Sequence, residues 1–362
     1  MCMIPRCGED GGVGLLNGTW LLTPRCSHGL CDSLDARSLQ RFNATSCQLE
    51  HWNRPTFQTF FLELAAANSS LLFAGDSLTK QHHDAFLSSA VAHLVPTFCS
   101  LERVWSARDE FGVARQAQYS YIQCPPSASS PGGQILIAIA SNKVLGNTAL
   151  SCKSAACFDE PVWSQVMDVF NRRAPARSFR VLVFNIGAHF HNEYARYNAT
   201  LGAWASNLRE HFSGLKVWRE YAPTHFDSPD GDYESITNQG AQACRPLNLS
   251  GASCHQCTEP YNQIADTVLG TDFLRLRIHV LSLKRWETHR GAQGQADFAS
   301  GIRDCRHWLD GVNQTLASAG AVEDSSVLEH WNLLLGHLLQ ARLAPLLSVK
   351  RVFAPTYTHP PH

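Results

Sequence analysis

Short runs of apolar residues alternate along this chain with longer stretches in which apolar positions recur every three to four residues. LLFAG at 71–75, ILIAIA at 135–140, VLVF at 181–184, LKVW at 215–218 and IHVLSL at 278–283 have the length and composition of strands. Helical spacing occupies FQTFFLELAAA at 57–67, the segment after Ser77 and a segment opened by Pro161, where Val162, Val166, Val169 and Phe170 share a face behind Asp159 and Glu160. It returns at Leu201, Trp204, Ala205, Leu208 and Phe212, near 264–274, and in the leucine-rich stretch 327–343, read as a core helix. Asn68-Ser69-Ser70 and CPPSASSPGG at 124–133 read as turns, and 227–260 is polar and irregular. Strands that are apolar throughout need cover on both faces, so the pattern predicts an α/β fold with a mostly parallel sheet between helical layers. Residues 1–53, rich in Gly, Cys and turn formers, read as a loop-rich, disulfide-tied segment packed on the core. The core domain is expected over 54–347, with 348–362 as a tail, and no internal repeat is seen.

Composition narrows the function. At 362 residues and 44% apolar content the chain can bury a large core. Thirty basic against 31 acidic residues leave a net charge of −1, which gives no general attraction to nucleic acid or anionic lipid and suits a neutral glycan. Thirteen cysteines stand beside Asn-x-Ser/Thr sequons at Asn17, Asn43, Asn68, Asn198, Asn248 and Asn313, a combination expected on the oxidising secretory route. The start at Met1 lacks the basic-then-apolar pattern of a signal peptide, and no apolar run is long enough to span a bilayer. The expectation is a start that has lost a signal or anchor helix.

Ligands of such sheets bind beyond the carboxyl ends of the strands. Gly75-Asp76-Ser77, Asn185-Ile186-Gly187 and the polar segment after Leu283 all fall there. A serine on a sharp strand-to-helix turn presents its hydroxyl at the sheet edge, and a glycine two residues earlier permits the turn. Such a serine is either a nucleophile or part of an ordinary helix cap. Asp304 and His307, three residues apart, can face the same side of a turn, with the acid fixing the imidazole tautomer and the imidazole serving as base; the alternative is a surface contact. His330, with Val327 at the equivalent position, lacks that acid.

For an oxyanion, the donors expected are the Ser77 N–H, Asn185 and Gly187, although Asn185 is equally well read as a turn residue. Arg219 and His225 read as structural. His82 and His83 point about 100° apart on a helix, so at least one is expected at the surface. The Cys254–Cys257 spacing fits a disulfide better than zinc in this compartment, as do Cys26 with Cys31 and Cys152 with Cys157. No metal or cofactor is expected.

FAGDSL at 73–78, the upstream Cys47-Gln48-Leu49 followed by FFLEL, FNIGAHF at 184–190, WREYAPTHF at 218–226 and DCRHW at 304–308 occur in this order. Together they resemble the trichome-birefringence-like proteins of the wider PC-esterase group. The resemblance extends over roughly residues 15–345 of the alternating pattern. It implies an SGNH-hydrolase-like three-layer fold with a triad in which Ser77 is nucleophile, His307 base and Asp304 the orienting acid. It also implies acetyl transfer from a donor co-substrate to hydroxyls of cell-wall polysaccharides in the Golgi lumen, while relatives in the wider group modify sialic acids. Two departures bear on the acceptor. Leu309 follows Trp308 where the family usually has a cysteine, and Trp331-Asn332 comes later than the family's Trp-Asn pair, after an insertion carrying the Asn313 sequon. Acetylester hydrolysis by the same three residues is the nearest alternative. A non-catalytic glycan-binding module is the next, and the intact triad residues argue against it.

Overall fold

Four of the five apolar runs become neighbouring strands of one sheet in the computed structural model. It describes residues 18–22, 40–44, 54–95, 99–107, 117–126, 132–141, 179–187, 190, 192–229, 231–233, 235–236, 243–247, 260–283, 285–293, 303–308 and 327–352. In chain order the elements are β1 (Gly18–Leu22), β2 (Gln40–Ala44), α1 (Arg54–Ala66), β3 (Ser70–Gly75), α2 (Ser77–Leu94), β4 (Ser100–Ala107), β5 (Ala117–Cys124), β6 (Gly133–Ser141), β7 (Val181–Asn185), α3 (Tyr194–His211), β8 (Leu215–Arg219), α4 (Pro260–Leu269), β9 (Leu274–Leu276), the one-turn α5 (His279–Ser282) and α6 (Val327–Val352). Short 3-10 turns cover Trp286–Thr288 and Arg290–Gln293.

The main sheet has the order β4-β5-β6-β3-β7-β8-β9. Pairing is parallel from β6 through β3, β7 and β8 to β9, and antiparallel between β4, β5 and β6. Alternation along each central strand sorts its side chains into two layers. Leu71, Phe73, Ile135, Ile137, Ile139, Val181, Val183 and Val217 join α1, α2 and α6 in one cluster. Leu72, Ala74, Leu136, Ala138, Leu182, Phe184 and Trp218 join α3 and α4 in the other. Burial on both faces is why these strands carry no polar alternation.

Several expectations are corrected. IHVLSL at 278–283 is not a strand: β9 is confined to Leu274–Leu276, and α5 follows. There the His279 N–H donates to the Glu220 carboxylate, and both the N–H and the hydroxyl of Ser282 donate to the Ile278 carbonyl. A short apolar run reads the same for a buried strand and a buried turn of helix. The helix expected to reach residue 274 stops at Leu269, where Gly270 takes φ 66° and ends it. β4 and β5 went unrecognised because their polar residues interrupt the apolar pattern, and the N-terminal region contains the antiparallel pair β1–β2. α6 continues to Val352, past the expected start of the tail.

Disulfides join Cys99 to Cys124 and Cys244 to Cys305. The helix expected after Pro161 and the pairings expected for Cys254 with Cys257, Cys26 with Cys31 and Cys152 with Cys157 lie outside the described residues.

Candidate active site

β3 delivers its last residue against the end of β7. A Cβ on Gly75, at φ 151°, would lie 1.9 Å from the Asn185 carbonyl oxygen and 2.6 Å from Thr79 Oγ1, so only glycine brings the strand ends this close. Asp76 caps α2, its Oδ1 accepting from the N–H groups of Leu78 and Thr79 at 3.0 and 3.1 Å. The cap role therefore belongs to Asp76, and Ser77, the half-buried first residue of α2, keeps its hydroxyl for another partner. Arg219, at the end of β8, lies behind this turn and is fully buried. Its Nη2 donates to Thr79 Oγ1 at 3.1 Å and stands 3.6 Å from Asp76 Oδ1, with the guanidinium over the Trp331 ring. Burial lowers its pKa to about 10, an effect that the charge of Asp76 partly opposes, so it stays charged at neutral pH.

The partner of Ser77 comes from residues 303–308. His307 Nε2 lies 2.7 Å from Ser77 Oγ, and His307 Nδ1 lies 2.9 and 3.0 Å from the two Asp304 carboxylate oxygens. With the carboxylate accepting, Nδ1 carries the proton and Nε2 is left to accept from the serine. Asp304 Oδ1 also accepts from the backbone N–H of His307 at 3.0 Å and of Arg306 at 3.3 Å. Burial alone would raise the Asp304 pKa, but the hydrogen bond and charge of His307 and these two amides outweigh it and hold the carboxyl below its ordinary value.

This loop is fixed chiefly by its backbone. The N–H groups of Gly291, His225 and Arg290 donate to the carbonyls of Asp304, Cys305 and His307 at 2.7, 3.0 and 2.9 Å. Gly291 is required here because a Cβ would sit 2.7 Å from the Asp304 nitrogen. The Cys244–Cys305 disulfide anchors the residue after Asp304. Gln81, one turn beyond Ser77 on α2, brackets the residue after His307: its Nε2 donates to the Trp308 carbonyl at 2.8 Å, and its Oε1 accepts the Trp308 N–H at 3.0 Å.

The other expected residues are placed as follows. Asn185 is fully buried beside the Gly75–Ser77 turn; its Nδ2 donates to the Arg219 carbonyl at 2.7 Å and its Oδ1 accepts the Gly187 N–H at 3.0 Å. The Gly187 N–H is thus engaged by the Asn185 side chain. The Ser77 N–H, at the positive end of α2, and the second hydrogen of Asn185 Nδ2 are the remaining candidates. His82 and His83 are both fully buried, contrary to the surface position expected for at least one, because α2 is covered by the sheet on one side and by α6 on another; His82 meets the rings of Phe73 and Trp331 edge-on. His330 is buried within α6.

Gln81, His289, Gly291 and the Cys244–Cys305 bond were not singled out from sequence. Only Gln81 had a local signal, its one-turn spacing from Ser77. Among the described residues no group of three His, Cys, Asp or Glu side chains is placed to hold a metal ion. Compared with known proteins, the chain matches no family model and no curated relative.

Proposed function

We propose that this protein is a serine-dependent O-acetyltransferase of SGNH type, related to the PC-esterase group, that moves an acetyl group to a glycan hydroxyl through acetyl-Ser77. The observation that carries the reading is the continuous hydrogen-bonded line from Asp304 through His307 to Ser77 Oγ at the carboxyl end of β3. His307 Nε2 takes the Ser77 proton as Oγ attacks the acetyl carbonyl of the donor, and returns it to the leaving group as the donor departs. An acceptor hydroxyl then gives its proton to Nε2 and attacks the acetyl-serine, and the same proton returns to Ser77 Oγ. Asp304 stays ionised and stabilises the imidazolium formed in each half. The Ser77 N–H and Asn185 Nδ2 supply charge stabilisation to the developing oxyanion. Two disulfides agree with a secreted or lumenal setting, and among the described residues no helix is long and apolar enough to cross a membrane. The Golgi lumen and a cell-wall polysaccharide acceptor come from the sequence resemblance.

The test is labelling by a fluorophosphonate, followed by intact-mass measurement with an activated acetyl donor. Wild type should take up both labels at Ser77, and Ser77→Ala neither. Labelling of Ser77→Ala at the wild-type rate would reject the reading. Partition of labelled acetyl between xylan or pectin oligomers and free acetate then separates transfer from hydrolysis. Acetate release with every acceptor would establish an esterase.

A further inference from the structure

Two buried histidines outside the triad meet behind the catalytic loop. His225 Nδ1 lies 2.7 Å from His289 Nε2, His225 Nε2 lies 2.9 Å from the Leu283 carbonyl oxygen, and His289 Nδ1 lies 3.1 Å from the carbonyl oxygen of His307. Both rings are fully buried, and His289 stacks on Trp308 with centroids 3.9 Å apart. Both carbonyls at the ends of this line can only accept, so each requires an N–H, and the nitrogen–nitrogen contact between them requires one more. Three hydrogen bonds need three protons, whereas two neutral imidazoles bring two.

We propose that His225 and His289 share one additional proton, and that the resulting monocation positions the catalytic base by donating from His289 Nδ1 to the His307 carbonyl. The inference rests on the reading of Ser77, His307 and Asp304 as a triad. The proton balance also fixes what happens when the extra proton leaves. Leu283 has its carbonyl bonded to His225 Nε2, whereas the His307 carbonyl keeps the Arg290 N–H at 2.9 Å. The cheaper neutral arrangement keeps the His225 Nε2–H on Leu283 and the His289 Nε2–H on His225 Nδ1. That leaves the lone pair of His289 Nδ1 facing the His307 carbonyl oxygen. Deprotonation thus replaces an attraction by a repulsion at the backbone of the base.

Burial lowers the affinity of both rings for the proton. For His289 the neighbouring charges of His225 and His307 add to this, against the bond to the His307 carbonyl; for His225 the Leu283 carbonyl opposes it and His279 adds to it. His279 on α5 and His307 on the catalytic loop are the titratable groups facing the pair among the described residues. The shared proton is therefore held on the acidic side of the ordinary histidine range and lost as pH rises.

The experiment is nitrogen-15 NMR of histidine-labelled full-length protein, with His225→Gln and His289→Gln used for assignment, run beside fluorophosphonate labelling over the same pH series. Three protonated nitrogens are expected in the pair at low pH and two at high pH, with an inflection in the labelling rate at the same pH. His289→Asn places a non-titrating amide donor where Nδ1 stands. It should abolish that inflection while keeping labelling within about three- to tenfold of wild type, the scale of one hydrogen bond. His289→Leu, with no donor, should label more slowly than wild type below the pH at which the pair loses its proton and at the wild-type rate above it. A pair holding two protons over the whole pH range of the folded protein would overturn the proposal, as would persistence in His289→Asn of the inflection that coincides with the pair's proton loss. Because the proton count is read without catalysis, it holds or fails separately from the triad.

Discussion

Replacing Gln81 by leucine should uncouple α2 from the loop that carries His307. Gln81 is buried, and its amide holds both backbone groups of Trp308, itself fully buried, at 2.8 and 3.0 Å. Leucine would leave the Trp308 N–H without its acceptor, while the carbonyl would keep the Arg290 Nε–H at 3.3 Å. An unsatisfied buried group costs about 1–3 kcal/mol and a lost hydrogen bond about 1 kcal/mol more, so the expected destabilisation is roughly 2–4 kcal/mol. The same bracket sets the distance between Ser77 and His307, and a displacement of about 1 Å lowers reactivity by up to about 10²-fold. Urea unfolding should show a lower midpoint at unchanged slope, and fluorophosphonate labelling should slow by about 10- to 100-fold. Gln81→Glu supplies a built-in control. Its carboxylate can accept the Trp308 N–H but repels the carbonyl, and protonation restores the donor. Its labelling relative to wild type should therefore recover as pH falls. A leucine variant with an unchanged midpoint and labelling within about twofold of wild type would refute the bracket's role.

Three further outcomes follow from the same geometry. Asp304→Asn should lower the acyl-transfer rate by about 10⁴, because the amide cannot stabilise the imidazolium or fix its tautomer, and single-turnover acetylation measures this. Breaking Cys244–Cys305, which spans 61 residues of sequence, by Cys244→Ser should cost about 4 kcal/mol in unfolding free energy on a chain-entropy estimate, with slower labelling. Burial raises the pKa of Glu329 from 4.5 to about 7, so the folded state holds its proton and stability falls as pH rises between those values. Glu329→Gln should remove that slope and raise stability above pH 7 by up to about 3 kcal/mol, read from unfolding at several pH values.

The central strands were legible because they are buried on both faces: Leu71 through Ala74 have no polar position to confuse with a turn. β4 and β5 were not, since residues such as Glu102, Gln118 and Gln123 break the apolar run without making a clean alternation. His82 and His83 were misplaced for a related reason. Helical spacing leaves one face wet only on a surface helix, whereas α2 has its histidines covered by the sheet and by α6. At the site, Ser77, Asp304 and His307 carry local signals, a turn motif and a three-residue spacing. The groups that fix their geometry do not. Gln81 meets Trp308 across 227 residues and His225 meets His289 across 64, contacts that exist only once the sheet is assembled.

That division between local chemistry and distant support separates two kinds of variant. Among the described residues the loop bearing Asp304 and His307 holds no helix or strand, and an isolated bridge ties Trp308 to His289, so its position depends on the backbone bonds from Gly291, His225 and Arg290, on Gln81 and on the disulfide. None of these involves the Ser77 hydroxyl. Ser77→Ala removes one partly solvated hydrogen bond and should change unfolding free energy by no more than about 1 kcal/mol while abolishing labelling. Gln81→Leu should lose stability and labelling together. Measured side by side at one pH, the two variants should therefore differ in stability by at least about 1 kcal/mol although both are impaired in reactivity. If Ser77→Ala proved as destabilising as Gln81→Leu, the hydroxyl would be a structural partner of the loop, and its assignment as a free nucleophile would fail.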